Sequence, residues 1–354
     1  MDNTTLDNTT LSPLHEMEDQ AVNSPGWVAF TAFKALITII GLLSNITTFV
    51  TLKLNSKGFS TVSRTVLQNQ AIADSFVCIM GIGLYTQNPF WLTANHGINS
   101  FICQVWHSQA IYWSGVLLSV WNVVFITIER FILINYPFKH RDILPKHIYL
   151  AFAIMNILCI LLIIPAYLMT KYDEESSRCL LKPYFSSPGF GIVLQVLMYW
   201  WFTISYAVPV GIFIGLYTKT LSTLRQRQEK LKEINQESRV LKVADQQLTR
   251  TAGAVAIVFV IALSWDAWFC VLSTLFDNID YEFNSTLQVL GVFFADLNSC
   301  ANPFIYATFM PAFRRSLTKT FRFRKTINDG EASTTLQCTT MNQTNRNTSK
   351  ATSS

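Results

Sequence analysis

Three aspartates, Asp74, Asp266 and Asp296, stand inside long apolar stretches of the chain. A carboxylate moved into such surroundings costs about 3 kcal/mol on membrane-insertion scales, so each needs an ionic, proton-handling or hydrogen-bonding reason to be there. Asn45, Asn298 and Asn302 occupy similar stretches as cheaper, neutral groups, and the plainest role for all six is to bond helices to one another. A different chemistry is written at Glu129-Arg130-Phe131, where an acid and a base stand side by side at the end of an apolar run. Catalysis finds no comparable support. The five histidines, His15, His96, His107, His140 and His147, form no cluster with carboxylates within any one stretch, and no nucleophile or metal set converges. The chain therefore reads as a non-enzyme without a metal centre, and nothing in it asks for a nucleic acid.

The element that must position these groups is a membrane helix. Of the 354 residues 50% are hydrophobic and only 14% charged, with a mean hydropathy of +0.30, too few charges for an ordinary soluble domain. Apolar runs near or above the roughly 20 residues needed to cross about 30 Å of hydrocarbon occur at about 27–52, 65–87, 104–128, 148–169, 190–217, 252–275 and 287–310. Pro165, Pro209 and Pro303 fall inside them, which packed membrane helices tolerate because neighbours re-satisfy the freed backbone groups. The expected fold is an all-α membrane protein, a bundle of seven transmembrane helices.

Orientation follows from charge. The first, third and fifth connections and the C-terminal tail hold 23 of the 27 Lys and Arg, leaving Lys34, Lys171, Arg178 and Lys182 for the other side. Cytoplasmic loops collect such residues, so the N-terminus and the even-numbered connections are expected outside and the C-terminus inside, in the plasma membrane. Segment 1–26 has no Lys, Arg or apolar core, so the first span is expected to act as its own insertion signal. Glycosylation sequons at Asn3 and Asn8 lie on this outer tail and one at Asn284 in the last outer connection, whereas those at Asn342 and Asn347 should stay unmodified inside. Cys78, Cys159, Cys270 and Cys300 fall within spans as small apolar core residues. Cys103 and Cys179 both face the oxidising side, and a disulfide between them would contribute very roughly 4 to 5 kcal/mol through loop closure.

These residues sit at the spacings of a known family, the rhodopsin-like (class A) G-protein-coupled receptors. Gly41-Leu-Leu-Ser-Asn45 resembles the first-span signature, and Asn69-Gln-Ala-Ile-Ala-Asp74 the second-span motif ending in aspartate. Glu129-Arg130-Phe131 with Pro137 is similar to the triplet at the inner end of span 3, and Pro209 with Tyr217 matches span 5. Trp265 matches the span 6 switch tryptophan, and Asn302-Pro303-Phe-Ile-Tyr306 is a full Asn-Pro-x-x-Tyr motif. Phe313-Arg314 resembles the start of a short amphipathic helix, placed at 311–325, beyond which 326–354 reads as a disordered cytoplasmic tail with 11 Ser and Thr from 333 on. The resemblance covers about residues 27–325. Several positions depart from it. Span 4 has no mid-span tryptophan, Ala267 replaces a span 6 proline and weakens the expected kink, and Gln247 stands where many members carry an acid facing the span 3 arginine, which leaves the closed state less protected. The Cys103 to Arg130 interval is longer than usual, predicting an added part-turn or bulge at the outer end of span 3.

The resemblance implies a mechanism. Asp74, Ser119, Asn298 and Asn302 would converge mid-bundle around an allosteric sodium ion, the one optional cofactor. Agonist binding would swing span 6 out at its inner end, with Glu129, Arg130, Phe131, Tyr217, Tyr306, Pro209 and Pro303 serving activation and coupling to a heterotrimeric G protein. A phosphorylated tail would present anionic groups to an arrestin, with Cys338 a candidate for palmitoylation. On ligand class, amine receptors of the family carry an aspartate where this chain has Tyr112, and light-sensing members carry a Schiff-base lysine where it has Asp296, so neither kind is expected. The outer surface holds eleven acids against four bases, a net −7, which would steer a cationic ligand. The expected ligand is therefore a peptide, cationic at one end, meeting Asp266 and Asp296 with Tyr112, Trp113, Trp265 and Trp268 as its aromatic wall; Trp106 is a further candidate. The competing reading is a seven-helix transporter or proton-translocating protein using the intramembrane aspartates, for which no inverted repeat or interrupted helix pair is found.

Overall fold

The structure is a computed structural model that describes residues 24–55, 59–85, 95–174, 178–181, 190–233, 239–276, 279, 281 and 285–322. Asn3, Asn8, Asn284, Cys338 and the tail 326–354 lie outside them. The chain folds as a multi-span helical bundle. Helix α1 (Pro25–Leu54) starts on a Ser24 cap that accepts from the Trp27 N–H, with Pro25 in the first turn where its missing N–H costs nothing. Helix α2 (Thr61–Tyr85) follows, then a short α3 (His96–Ile102), a π-helical turn Cys103–His107, and α4 (Ala110–Asn135). A six-residue helix α5 (Pro137–Asp142) leads into α6 (Pro145–Met169). The fifth stretch is α7 (Phe190–Phe202), a second π-helical turn Thr203–Ala207, and α8 (Val208–Glu233). Pro209 sits just past that turn, where its absent N–H already interrupts the regular ladder. Then come α9 (Arg239–Leu275), α10 (Thr286–Phe309) and α11 at 311–322, whose Phe313 and Ser316 are buried and whose Arg314, Arg315 and Lys319 are exposed.

Five helical stretches among the described residues are long and apolar enough to cross a membrane: Pro25–Leu54, His96–Asn135, Lys146–Ile164, Val196–Arg227 and Gly253–Ser273. The two other long helices, α2 with 25 residues and α10 with 24, have the length but not the composition. They carry polar residues singled out above, Asn69 and Asp74 on α2 and Asp296, Asn298 and Asn302 on α10. Both pack inside the bundle, α2 against α1, α4 and α10, and α10 against α1, α2 and α9. Helix α4 is the hub, touching α2, α6, α8, α9 and α10, and its Val116, Leu117, Val120, Val123 and Val124 fill the apolar core.

Among the described residues between α6 and α7, two short strands form. They make a small antiparallel hairpin, β1 (Thr170–Asp173) with β2 (Arg178–Leu181), in which Tyr172 pairs with Cys179. Cys179 is bonded to Cys103 in the π-helical turn, with Cα atoms 5.3 Å apart, so the hairpin is pinned to the start of the third long stretch. That π turn, followed by Gln109 in the left-handed conformation (φ 53°), absorbs the long Cys103 to Arg130 interval. Helix α9 runs 37 residues without the proline that the family places near Trp265. Cys78, Cys159, Cys270 and Cys300 are buried free thiols.

Candidate functional site

Toward the end of the bundle that carries the disulfide, the two aspartates have separate surroundings. Asp296 of α10 is fully buried, and its Oδ1 accepts from the Tyr112 hydroxyl of α4 at 3.0 Å; the same hydroxyl lies 3.1 Å from the Val292 carbonyl. Its charge partner is Lys34 of α1, only 4% exposed, whose electrostatic interaction with Asp296 is resolved and whose ammonium rests over the Trp27 and Phe30 rings at 5.7 and 5.0 Å. Helix α2 makes room through Gly81, where a Cβ would stand 2.7 Å from Asp296 Oδ1. Lys34, expected on the outer surface, is thus a buried partner of Asp296. Its signal was available, since a lone lysine in an apolar run needs a counter-charge.

Asp266 of α9 accepts from the Tyr281 hydroxyl at 2.7 Å and interacts with Trp201 of α7. Together with Trp113, Trp201, Ser205 and Tyr206 it lines a narrow gap of about 10 Å³, the room of about one water. Trp113 stands edge-on to Tyr112 (5.3 Å) and to Trp201 (6.0 Å), and its indole N–H donates to Gln109 Oε1 at 3.1 Å. Gln109 Oε1 also accepts from Gln288 Nε2 of α10 at 2.8 Å. Trp265 turns toward α10, donating to the Leu287 carbonyl at 2.9 Å beside Phe269 and Phe294. Trp268 is 50% exposed on the flank of α9 against Phe202. The expected aromatic wall is therefore divided: Tyr112 and Trp113 face the two aspartates, and Trp268 does not line the gap.

In mid-bundle Asp74 is enclosed by donors. Ser119 donates to Oδ1 at 2.6 Å, Asn302 to Oδ2 at 2.8 Å, and the Gln70 amide nitrogen lies 2.9 and 3.0 Å from Oδ1 and Oδ2. Asn298 is buried on α10 but makes none of these bonds. Gln70, one helical turn before Asp74, was legible as an i, i+4 neighbour and had not been singled out. Asn45 joins α1 to α10, donating to the Gly41 and Ser299 carbonyls at 3.0 and 3.1 Å. The sodium ion that the resemblance implies does not fit this arrangement. Three donors of the chain, Ser119, Asn302 and the Gln70 amide, already crowd both carboxylate oxygens at 2.6 to 3.0 Å, with the amide nitrogen standing across the two where a cation would sit.

The opposite end holds the acid–base pair. Glu129 Oε2 lies 3.3 Å from Arg130 Nε, while its Oε1 accepts from the Ser63 hydroxyl of α2 at 2.6 Å and from His140 Nε2 of α5 at 2.8 Å. A carboxylate can only accept, so His140 carries its proton on Nε2 there. Arg130 also reaches Ser63 Oγ at 3.4 Å. Phe131 packs edge-on against Tyr136 at 6.0 Å. Tyr217 of α8 lies over Gly253 of α9, where a Cβ would come within 2.9 Å of its hydroxyl. Tyr306 is buried against the Phe313 ring of α11 at 6.1 Å. The side chain of Gln247 lies outside the described residues. His140 and Ser63 carried no signal in the sequence, because their partner Glu129 is distant in one case and on another helix in the other.

Comparison with known proteins fits this geometry. Residues 44–306 match the family model described as 7 transmembrane receptor (rhodopsin family). The chain is 23% identical to a rhodopsin of Procottus jeittelesii over 301 residues, covering 84% of this chain and 99% of that one. It is 23% identical to a rhodopsin of Salaria pavo over 314 residues, with 87% and 84% covered. A rhodopsin of Lethenteron camtschaticum is 24% identical over 299 residues, with 82% and 80% covered. With the match spanning the first-span asparagine region through Tyr306, the chain belongs to the rhodopsin-like (class A) family of G-protein-coupled receptors, a family of receptors and not of enzymes.

Proposed function

We propose that this chain is a plasma-membrane receptor of seven spans, with its N-terminus outside, that binds an extracellular peptide with a cationic end and activates a heterotrimeric G protein at its inner face. The observation that carries this reading is the separation of two charge centres along one bundle. Two acids in separate surroundings, Asp266 and Asp296, lie toward the end that carries the disulfide, which this reading takes as the outer one, and a closed Glu129–Arg130 pair with Ser63 and His140 lies toward the opposite end. A cation arriving from outside competes with Lys34 for Asp296, and its free energy of binding is available to shift the balance between bundle arrangements. Opening at the inner end then releases Arg130 from Glu129, with Tyr217 and Tyr306 rearranging beside it. Asp296 in place of a Schiff-base lysine argues against light sensing. A phosphorylated tail serves as an arrestin contact in this scheme.

The test is guanine-nucleotide exchange in membranes carrying the chain, screened with cationic peptides. Arg130→Ala is expected to abolish exchange while peptide binding survives. Substrate flux or proton current that persists in Arg130→Ala, with no peptide-dependent exchange in the native chain, would establish the transporter reading instead.

A further inference from the structure

Gln70 is fully buried, and its amide is held on both sides. Its nitrogen lies against both Asp74 oxygens at 2.9 and 3.0 Å and against Ser119 Oγ at 2.8 Å. Its carbonyl oxygen accepts from Asn122 Nδ2 at 2.7 Å, and Asn122 Oδ1 in turn accepts from Asn69 Nδ2 at 3.1 Å. The polarity of this chain fixes which way the amide points, because a carboxylate can only accept and so requires the nitrogen side of Gln70. We propose that Gln70 is a built-in substitute for a cation at Asp74: the chain closes the mid-bundle site with its own amide and binds no sodium there.

First, an ion reaching Asp74 has to lift the amide nitrogen off both carboxylate oxygens, and in a fully buried position the displaced N–H groups find no water. Leaving a buried donor unsatisfied is the costly side of hydrogen bonding, so displacement is opposed by more than the bonds it breaks. Second, the amide cannot step aside alone, since Asn122 and Asn69 are tied to its other end and linked polar groups move together. The amide brings no net charge. It completes the hydrogen bonding of Asp74 without neutralising it, so the resting arrangement does not depend on the cation outside.

The experiment is thermal unfolding of the purified full chain in potassium and in sodium at equal ionic strength. The native chain is expected to show no sodium-specific shift. Gln70→Ala, which opens the position, and Gln70→Glu, which keeps its shape but replaces the donor with a second carboxylate, are each expected to gain roughly 2 °C in sodium, the shift for an ion present at about ten times its dissociation constant. A comparable sodium-specific gain in the native chain overturns the proposal. So does a flat response in whichever of the two variants folds, Gln70→Glu keeping the side-chain volume where Gln70→Ala leaves a cavity. Both readouts concern ion binding alone, so their failure leaves the receptor reading in place.

Discussion

Lys34 and Asp296, on the first and last long helices of the bundle, are both buried, at 4% and 0% exposed, and interact electrostatically. Removing one member of a buried pair strands the other charge and costs about 3 to 5 kcal/mol, whereas removing both is often nearly neutral. Lys34→Met and Asp296→Asn are therefore each expected to lower surface expression, and the double variant to recover most of it. Peptide potency should follow a different rule. If the ligand cation meets Asp296, potency stays reduced by roughly tenfold or more in the double variant, the worth of a charge-assisted bond. Full potency with normal expression would remove Asp296 from the binding site. The sequence showed Asp296 and Tyr112 as residues of interest but not that they touch. Their contact closes over 184 positions of chain, and only the packing of α4 on α10 reveals it.

Among the elements, the six-residue helix α5 matters beyond its length, because it folds His140 back onto Glu129 eleven positions earlier. A histidine N–H on a carboxylate is a charge-assisted bond of about 1.5 kcal/mol or more, and it ties Glu129 to the inner connection as well as to Arg130. His140→Ala should raise agonist-free nucleotide exchange by about tenfold at matched surface level. An unchanged basal rate would mean that α5 does not hold the resting arrangement. Long apolar helices were readable from composition, and the extended Cys103 to Arg130 interval announced the π turn. Helices α2 and α10 were legible as the runs 65–87 and 287–310, but which of their polar residues bond to which neighbour was not, because those hydrogen bonds close only when the helices pack.

For the molecule as a whole, the charge count and the sequons make one joint prediction about orientation. Enzymatic removal of N-linked glycans should increase the electrophoretic mobility of the chain expressed in animal cells, and Asn3→Gln, Asn8→Gln and Asn284→Gln together should abolish that shift. Glycans that survive the triple substitution would lie on Asn342 or Asn347 and would place the C-terminus outside. The same whole-molecule view gives the unbroken helix α9 a mechanical meaning. At about 1.5 Å per residue it is roughly 55 Å long, and its Trp265, anchored to the Leu287 carbonyl, stands 26 residues from Arg239 and 10 from Leu275. A rod tilting about that anchor has unequal lever arms, in a ratio of about 2.6. With no proline to absorb the movement as a bend, a displacement of about 2 Å at the Leu275 end becomes about 5 Å at the Arg239 end, so that the helix amplifies in proportion to its own asymmetry.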